Sequence, residues 1–115
     1  METINEYINP AIVSGIIFLI AGIITYFFPP KKINYLYGYR TSNSMSSPEK
    51  WKYSQKYSSV KLIQAGVFLI LFSIIGSRII LEKEIFTIGG LIAIIISVAY
   101  VIVSTEKELK NKFSK

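Results

Sequence analysis

The sequence predicts an all-α integral membrane protein: three transmembrane helices with a structured cytoplasmic loop containing a short interfacial helix. Three observations carry that expectation. The chain has 115 residues, 51% of them hydrophobic, which makes one small unit. Its charges, 13 Lys+Arg and 7 Asp+Glu for a net +6, collect in patches between apolar blocks instead of punctuating them. Each block is long enough, at about 1.5 Å per helical residue, to cross a hydrocarbon core of roughly 30 Å. The whole chain, 1–115, therefore reads as a single membrane domain with spans at about 11–28, 62–81 and 85–103, a loop at 29–61 and a tail at 104–115.

No charge occurs between Glu6 and Lys31, and the first span, Ala11 to Phe28, lies inside that window. Glu2 and Glu6 stand where a signal peptide would carry basic residues, so the segment is expected to stay in the membrane. Pro29 and Pro30 stop the helix, and Tyr26, Phe27 and Phe28 suit the interfacial aromatic belt. The second span runs from Leu62 to Leu81, with Arg78 close enough to its end to snorkel. The third, Ile85 to Val103, follows a linker as short as Glu82-Lys83-Glu84, which predicts a tight antiparallel hairpin.

Lys and Arg set the orientation. The loop carries seven (Lys31, Lys32, Arg40, Lys50, Lys52, Lys56, Lys61) and the tail four (Lys107, Lys110, Lys112, Lys115), against two, Arg78 and Lys83, in the other connection. By the positive-inside rule the loop and C-terminus face the cytoplasm and the N-terminus lies outside. Small residues form stripes at Ala11, Gly15 and Gly22, at Gly66, Ser73 and Ser77, and at Gly89, Ala93 and Ser97. Such stripes serve homo-oligomerisation or packing inside the bundle, and three helices in one chain favour the second. No internal repeat suggests an inverted-repeat transporter.

The residue types that are missing narrow the chemistry. With no cysteine, histidine or aspartate, the chain lacks a thiolate nucleophile, a base titrating near neutrality and the commonest transition-metal ligand. No enzyme activity, cofactor or metal is expected. The uncharged span centres also argue against an ion-coupled pump.

The loop holds most of the information. Tyr35, Tyr37, Tyr39, Trp51, Tyr53 and Tyr57 make it too aromatic for a passive connector. Gly38-Tyr39-Arg40-Thr41-Ser42 reads as a turn. Ser47-Pro48-Glu49 reads as a helix start, with Ser47 as N-cap, Pro48 at the first position and Glu49 near the positive dipole end. The helix it begins, carrying Trp51, continues through Tyr57 toward the second span.

Asn34-Tyr35-Leu36-Tyr37-Gly38-Tyr39-Arg40-Thr41, followed by Ser44-Met45, Glu49 and Trp51, resembles the SdpI/YfhL family of bacterial immunity-type membrane proteins. The resemblance covers most of the chain, and the chain corresponds to a short form, the C-terminal-type domain of longer members. Many members have proline where this chain has Ser42. The resemblance implies protection of a bacterial cell from a secreted, membrane-active peptide toxin. In the best-known member, capture of a cytoplasmic repressor is coupled to that role.

The candidate binding residues are Asn34, Gly38, Tyr39, Arg40, Thr41, Glu49 and Trp51. Arg40 suits a lipid phosphate, a carboxylate such as Glu49, or a structural anchor for the loop. Gly38 reads as a backbone requirement, and Trp51 as an interfacial anchor or a ligand contact. Glu106 with Lys110 and Glu108 with Lys112, at i,i+4 spacing, predict a solvated extension of the third helix. Expected partners are membrane lipids, a peptide toxin, and a cytoplasmic regulator or a second copy, with no nucleic acid. The alternatives to immunity are a signalling or scaffold protein that holds a regulator through its basic loop, and a small oligomeric transporter.

Overall fold

A computed structural model describes residues 9–34, 36–79 and 82–113. Among them are three long helices, one 3-10 turn and no strand: α1 (Pro10–Phe27), the turn Ser44–Ser46, α2 (Pro48–Ile79) and α3 (Lys83–Phe113). Each long helix contains a window apolar enough to cross a bilayer. The chain is a multi-pass membrane protein.

The helix ends follow from local chemistry. Asn9 caps α1, its Oδ1 accepting from Ala11 N at 2.7 Å with Pro10 at the first position. Phe28 closes the helix by donating to Ile24 O, and Pro29 and Pro30 prevent its continuation. Ser47 is extended and caps α2, its Oγ accepting from Lys50 N at 3.1 Å. The predicted start at Pro48 is thus where α2 begins, but no separate interfacial helix follows. The helix runs unbroken to Ile79, because nothing between Glu49 and Lys61 is proline or glycine. On the other side of the short connection, Glu82 O accepts Phe86 N at 3.0 Å; Ile80 and Leu81, in that connection, lie outside the described residues.

The stripe on α1 turns wholly inward, and those on α2 and α3 do so at Gly66, Ser73, Ala93 and Ser97. A Cβ on Gly66 would stand 2.7 Å from Gly15 O, and one on Gly15 would stand 2.9 Å from Gly66 O, so α1 and α2 touch backbone to backbone. Gly22 repeats this against Ile63 and Ser59, and Thr25 and Ser59 share a hydrogen bond of 2.7 Å. Ala11, Leu69 and Ala93 meet at the centre, flanked by Phe18, Phe72 and Ile94. In α3 the buried glycine is Gly90, which holds the Asn9 side chain, and Gly89 has only the Phe72 ring nearby. Ser77, expected in the α2 stripe, is half-buried and bonds its own Ile74 O.

Large apolar side chains such as Ile17, Leu71 and Ile95 point outward, the inverse of a water-soluble core. Phe86 packs on Gly76, Tyr100 bonds Gln64, and Tyr53 meets Phe113, so α2 and α3 run antiparallel. The Asn9 amide donates to Phe86 O and ties the starts of α1 and α3 together. Consequently the loop, the start of α2 and the end of α3 share one end of a bundle 51 Å long.

Candidate functional site

At that end the loop is locked by side chains from two helices. Trp51, only 1% exposed, donates from Nε1 to Pro30 O at 2.7 Å, fixing the chain just after α1. Tyr37 adds a second tie, its hydroxyl donating to Phe28 O at 2.6 Å. Gly38 has φ +103, a left-handed conformation, and lies against Gln55 and Pro30, where a Cβ would come within 2.5 and 2.6 Å of them. Close approach and backbone shape both require glycine.

Tyr39 is held at three atoms. Its N–H donates to Gln55 Oε1 at 2.7 Å, its carbonyl accepts from Gln55 Nε2 at 2.8 Å, and its hydroxyl donates to Glu106 Oε2 at 2.6 Å. Thr41 donates its hydroxyl to the same carboxylate oxygen at 2.8 Å. Thr41 and Ser44 then cap one another: Thr41 N donates to Ser44 Oγ at 2.8 Å, and Ser44 N to Thr41 Oγ1 at 3.0 Å. The result is a latch in which one glutamate on α3 gathers two loop hydroxyls. Burial, reinforced by the Glu106 carboxylate, raises the Tyr39 pKa well above its ordinary value and keeps the phenol a donor.

The predicted residues separate into groups. Gly38, Tyr39 and Thr41 meet in the latch, and Trp51 lies beneath it as a buried brace with no face left for a ligand. Asn34 shapes the loop locally, its Oδ1 accepting from Leu36 N and Tyr37 N. Arg40 is exposed between the two latch residues, and Glu49 is exposed in the first turn of α2.

Gln55 and Glu106 are the residues sequence reasoning missed. Gln55 falls one turn after Trp51 and one before Ser59, on the buried stripe of α2. Glu106 follows Thr105, on a stripe that descends from Ser97 through Val101. Helical spacing from the inward small residues was the signal for Gln55; for Glu106 it reaches only the buried neighbour Thr105. The expected solvated tail is corrected accordingly. The helical extension exists, but Thr105 and Leu109 are buried, Glu106 serves the loop, and Glu108 accepts from the Tyr53 hydroxyl. The extra turns of α2 beyond the membrane give the end of α3 a surface to pack on.

No group of three or more candidate metal-ligating side chains stands together among the described residues. The site is built of hydrogen-bonding hydroxyls, amides and carboxylates, which suits holding a conformation and presenting a surface.

The SdpI/YfhL protein family model matches residues 31–105, the interval from the start of this loop to the buried Thr105 beside its glutamate anchor. The chain belongs to the SdpI/YfhL family. It is similar to the uncharacterized protein YfhL of Bacillus subtilis (strain 168), with 37% identity over 99 residues that cover 86% of this chain and 84% of that one. No solved structure matches. SdpI/YfhL is not a known enzyme family.

Proposed function

We propose that this protein protects a bacterial cell against a secreted, membrane-active peptide toxin, acting by binding and not by catalysis. The observation that carries the reading is the family match over residues 31–105, which takes in the loop, all of α2 and α3 as far as Thr105, the residue before the latch's glutamate. A locked loop at the end of a lipid-embedded bundle is a preorganised surface, and preorganisation lowers the cost of binding. The loop and tail, with eleven of the thirteen basic residues, face the cytoplasm in this reading, and the start of α1 faces outward. Partners are then membrane lipids and the toxin.

Expression in a sensitive bacterium, followed by challenge with candidate peptide toxins, tests the proposal. Survival above that of cells with an empty vector is expected. Absence of protection by correctly inserted protein against every candidate counts against it. Arg40→Ala should lower protection per molecule of inserted protein, whereas Trp51→Ala should lower the amount of folded protein.

A second reading, a scaffold that holds a cytoplasmic regulator, rests on Leu36, which is 93% exposed on the loop. Crosslinking from cysteines placed at residues 36–46 separates the readings: a specific soluble protein partner favours the scaffold.

A further inference from the structure

Beside the latch, on another face of the same end, a groove with a volume of about 670 Å³ runs along α2 between Tyr26 and the end of α3. Its chemistry is graded. At the membrane end are Val60, exposed and apolar, and Tyr57; at the far end, two to three turns away, stand Lys52 and then Glu49. In between, ammonium groups are parked over aromatic rings: Lys56 Nζ lies 4.6 Å from the centre of the Tyr26 ring, and Lys112 Nζ lies 4.8 Å from that of Tyr53. Tyr53 stacks on Tyr57 with centroids 6.0 Å apart, and Phe113 meets its edge at 5.9 Å, giving the groove a continuous aromatic floor.

We propose that this groove binds one anionic phospholipid, with the phosphate between Lys52, Lys56 and Lys112, the upper acyl chain along Tyr57 and Val60, and the polar headgroup reaching toward Glu49. The order of chemistry along α2, apolar then cationic then polar, is the order of a phospholipid from chain to headgroup. Charge sets the sign of the ligand. Three lysines line the groove with the single carboxylate of Glu49, and the neighbouring carboxylate of Glu108 is engaged by the Tyr53 hydroxyl. Position sets the source. Tyr26 ends the first apolar helix, so the groove straddles the membrane boundary, and a soluble phosphate or acidic peptide would leave its apolar third empty. The site stands apart from the latch residues and does not depend on the toxin reading.

Native mass spectrometry of the full-length protein released from detergent tests this with phosphatidylglycerol, phosphatidylcholine and inorganic phosphate as probes. Retention of one phosphatidylglycerol in preference to phosphatidylcholine is expected, and inorganic phosphate should not displace it. The triple variant Lys52→Gln/Lys56→Gln/Lys112→Gln should bind phosphatidylglycerol about tenfold more weakly or worse. A control triple variant, Lys31→Gln/Lys32→Gln/Lys107→Gln, removes the same charge elsewhere and should bind as wild type does. Equal retention of both lipids, equal losses in the two triple variants, or displacement by inorganic phosphate would overturn the assignment. Photocrosslinking of wild-type protein with a headgroup-labelled phosphatidylglycerol gives a result independent of how the variants fold: label is expected on residues 49–57 and 112–113, and label confined to other segments also overturns it.

Discussion

Gln55 pairs with Tyr39 as a neighbouring β-strand would, its side-chain amide satisfying both the N–H and the carbonyl of that one residue at 2.7 and 2.8 Å. A single buried side chain thus replaces the backbone partner that an irregular loop lacks. Gln55→Ala leaves both backbone groups without that partner and should destabilise the loop by about 2 kcal/mol. Limited trypsin digestion should then cut after Arg40 faster than in wild type, while helical circular dichroism stays the same.

Gly38→Ala meets two obstacles, a φ of +103 and the closeness of Gln55 and Pro30. The expected cost is on the order of 1–3 kcal/mol, read as a lower midpoint of thermal unfolding in detergent. Asparagine adopts the left-handed region more readily than alanine, but its side chain needs the same space, so Gly38→Asn should not restore the wild-type midpoint.

Glu106 couples two loop hydroxyls to α3, so Tyr39→Phe and Glu106→Gln should not be additive. A double-mutant cycle on unfolding free energy is expected to show coupling of about 0.5–3 kcal/mol. Additivity within about 0.5 kcal/mol would show that the latch contributes little to stability.

The two glycines that the sequence places in comparable stripes should behave differently. Gly66→Ala puts a methyl group 2.7 Å from a backbone oxygen of α1, which has no rotamer by which to yield, whereas Gly89→Ala meets only a ring atom of Phe72 at 3.4 Å. Unfolding in detergent should show a clear loss for the first and a change within about 0.5 kcal/mol for the second.

Tyr53 is pushed up to about 12, first by its hydrogen bond to Glu108, then by desolvation and the nearby charge. The folded state therefore holds the phenolic proton more tightly than the unfolded chain, whose ordinary value is 10.0. Its stabilising contribution is complete below pH 10 and is lost as pH rises through about 12. Phenolate absorbance of Glu108→Gln should show one tyrosine titrating closer to the ordinary value than in wild type.

The fold was legible in the sequence because lipid imposes long uncharged helices, and a run such as Ile85 to Val103 has few other uses. Ser47-Pro48 marks the start of α2 by local chemistry alone. The candidate site was half legible. Gly38, Tyr39 and Thr41 stand out as an odd cluster in one loop, but their anchors lie on other helices, 16 positions away at Gln55 and 67 at Glu106. Glu106 also has Lys110 at the spacing of a surface ion pair, a local pattern that describes it equally well. Only the descent of the Ser97–Val101–Thr105 stripe past the membrane end distinguishes the two, and that requires knowing that α2 rises to meet it.

The unbroken α2, 32 residues long, measures roughly 48 Å at the helical rise, whereas the hydrocarbon layer takes up only about 30 Å. About 18 Å of rigid rod therefore stands clear of the oil, and the Gln55–Tyr39 pairing is mounted on that protruding mast at a set height. Tilting the rod within the bilayer swings the loop without deforming it. A molecule that grips both the mast and the greasy stem must itself be two-faced along its length, which describes a peptide that lodges across the water–lipid boundary better than one dissolved wholly in either phase.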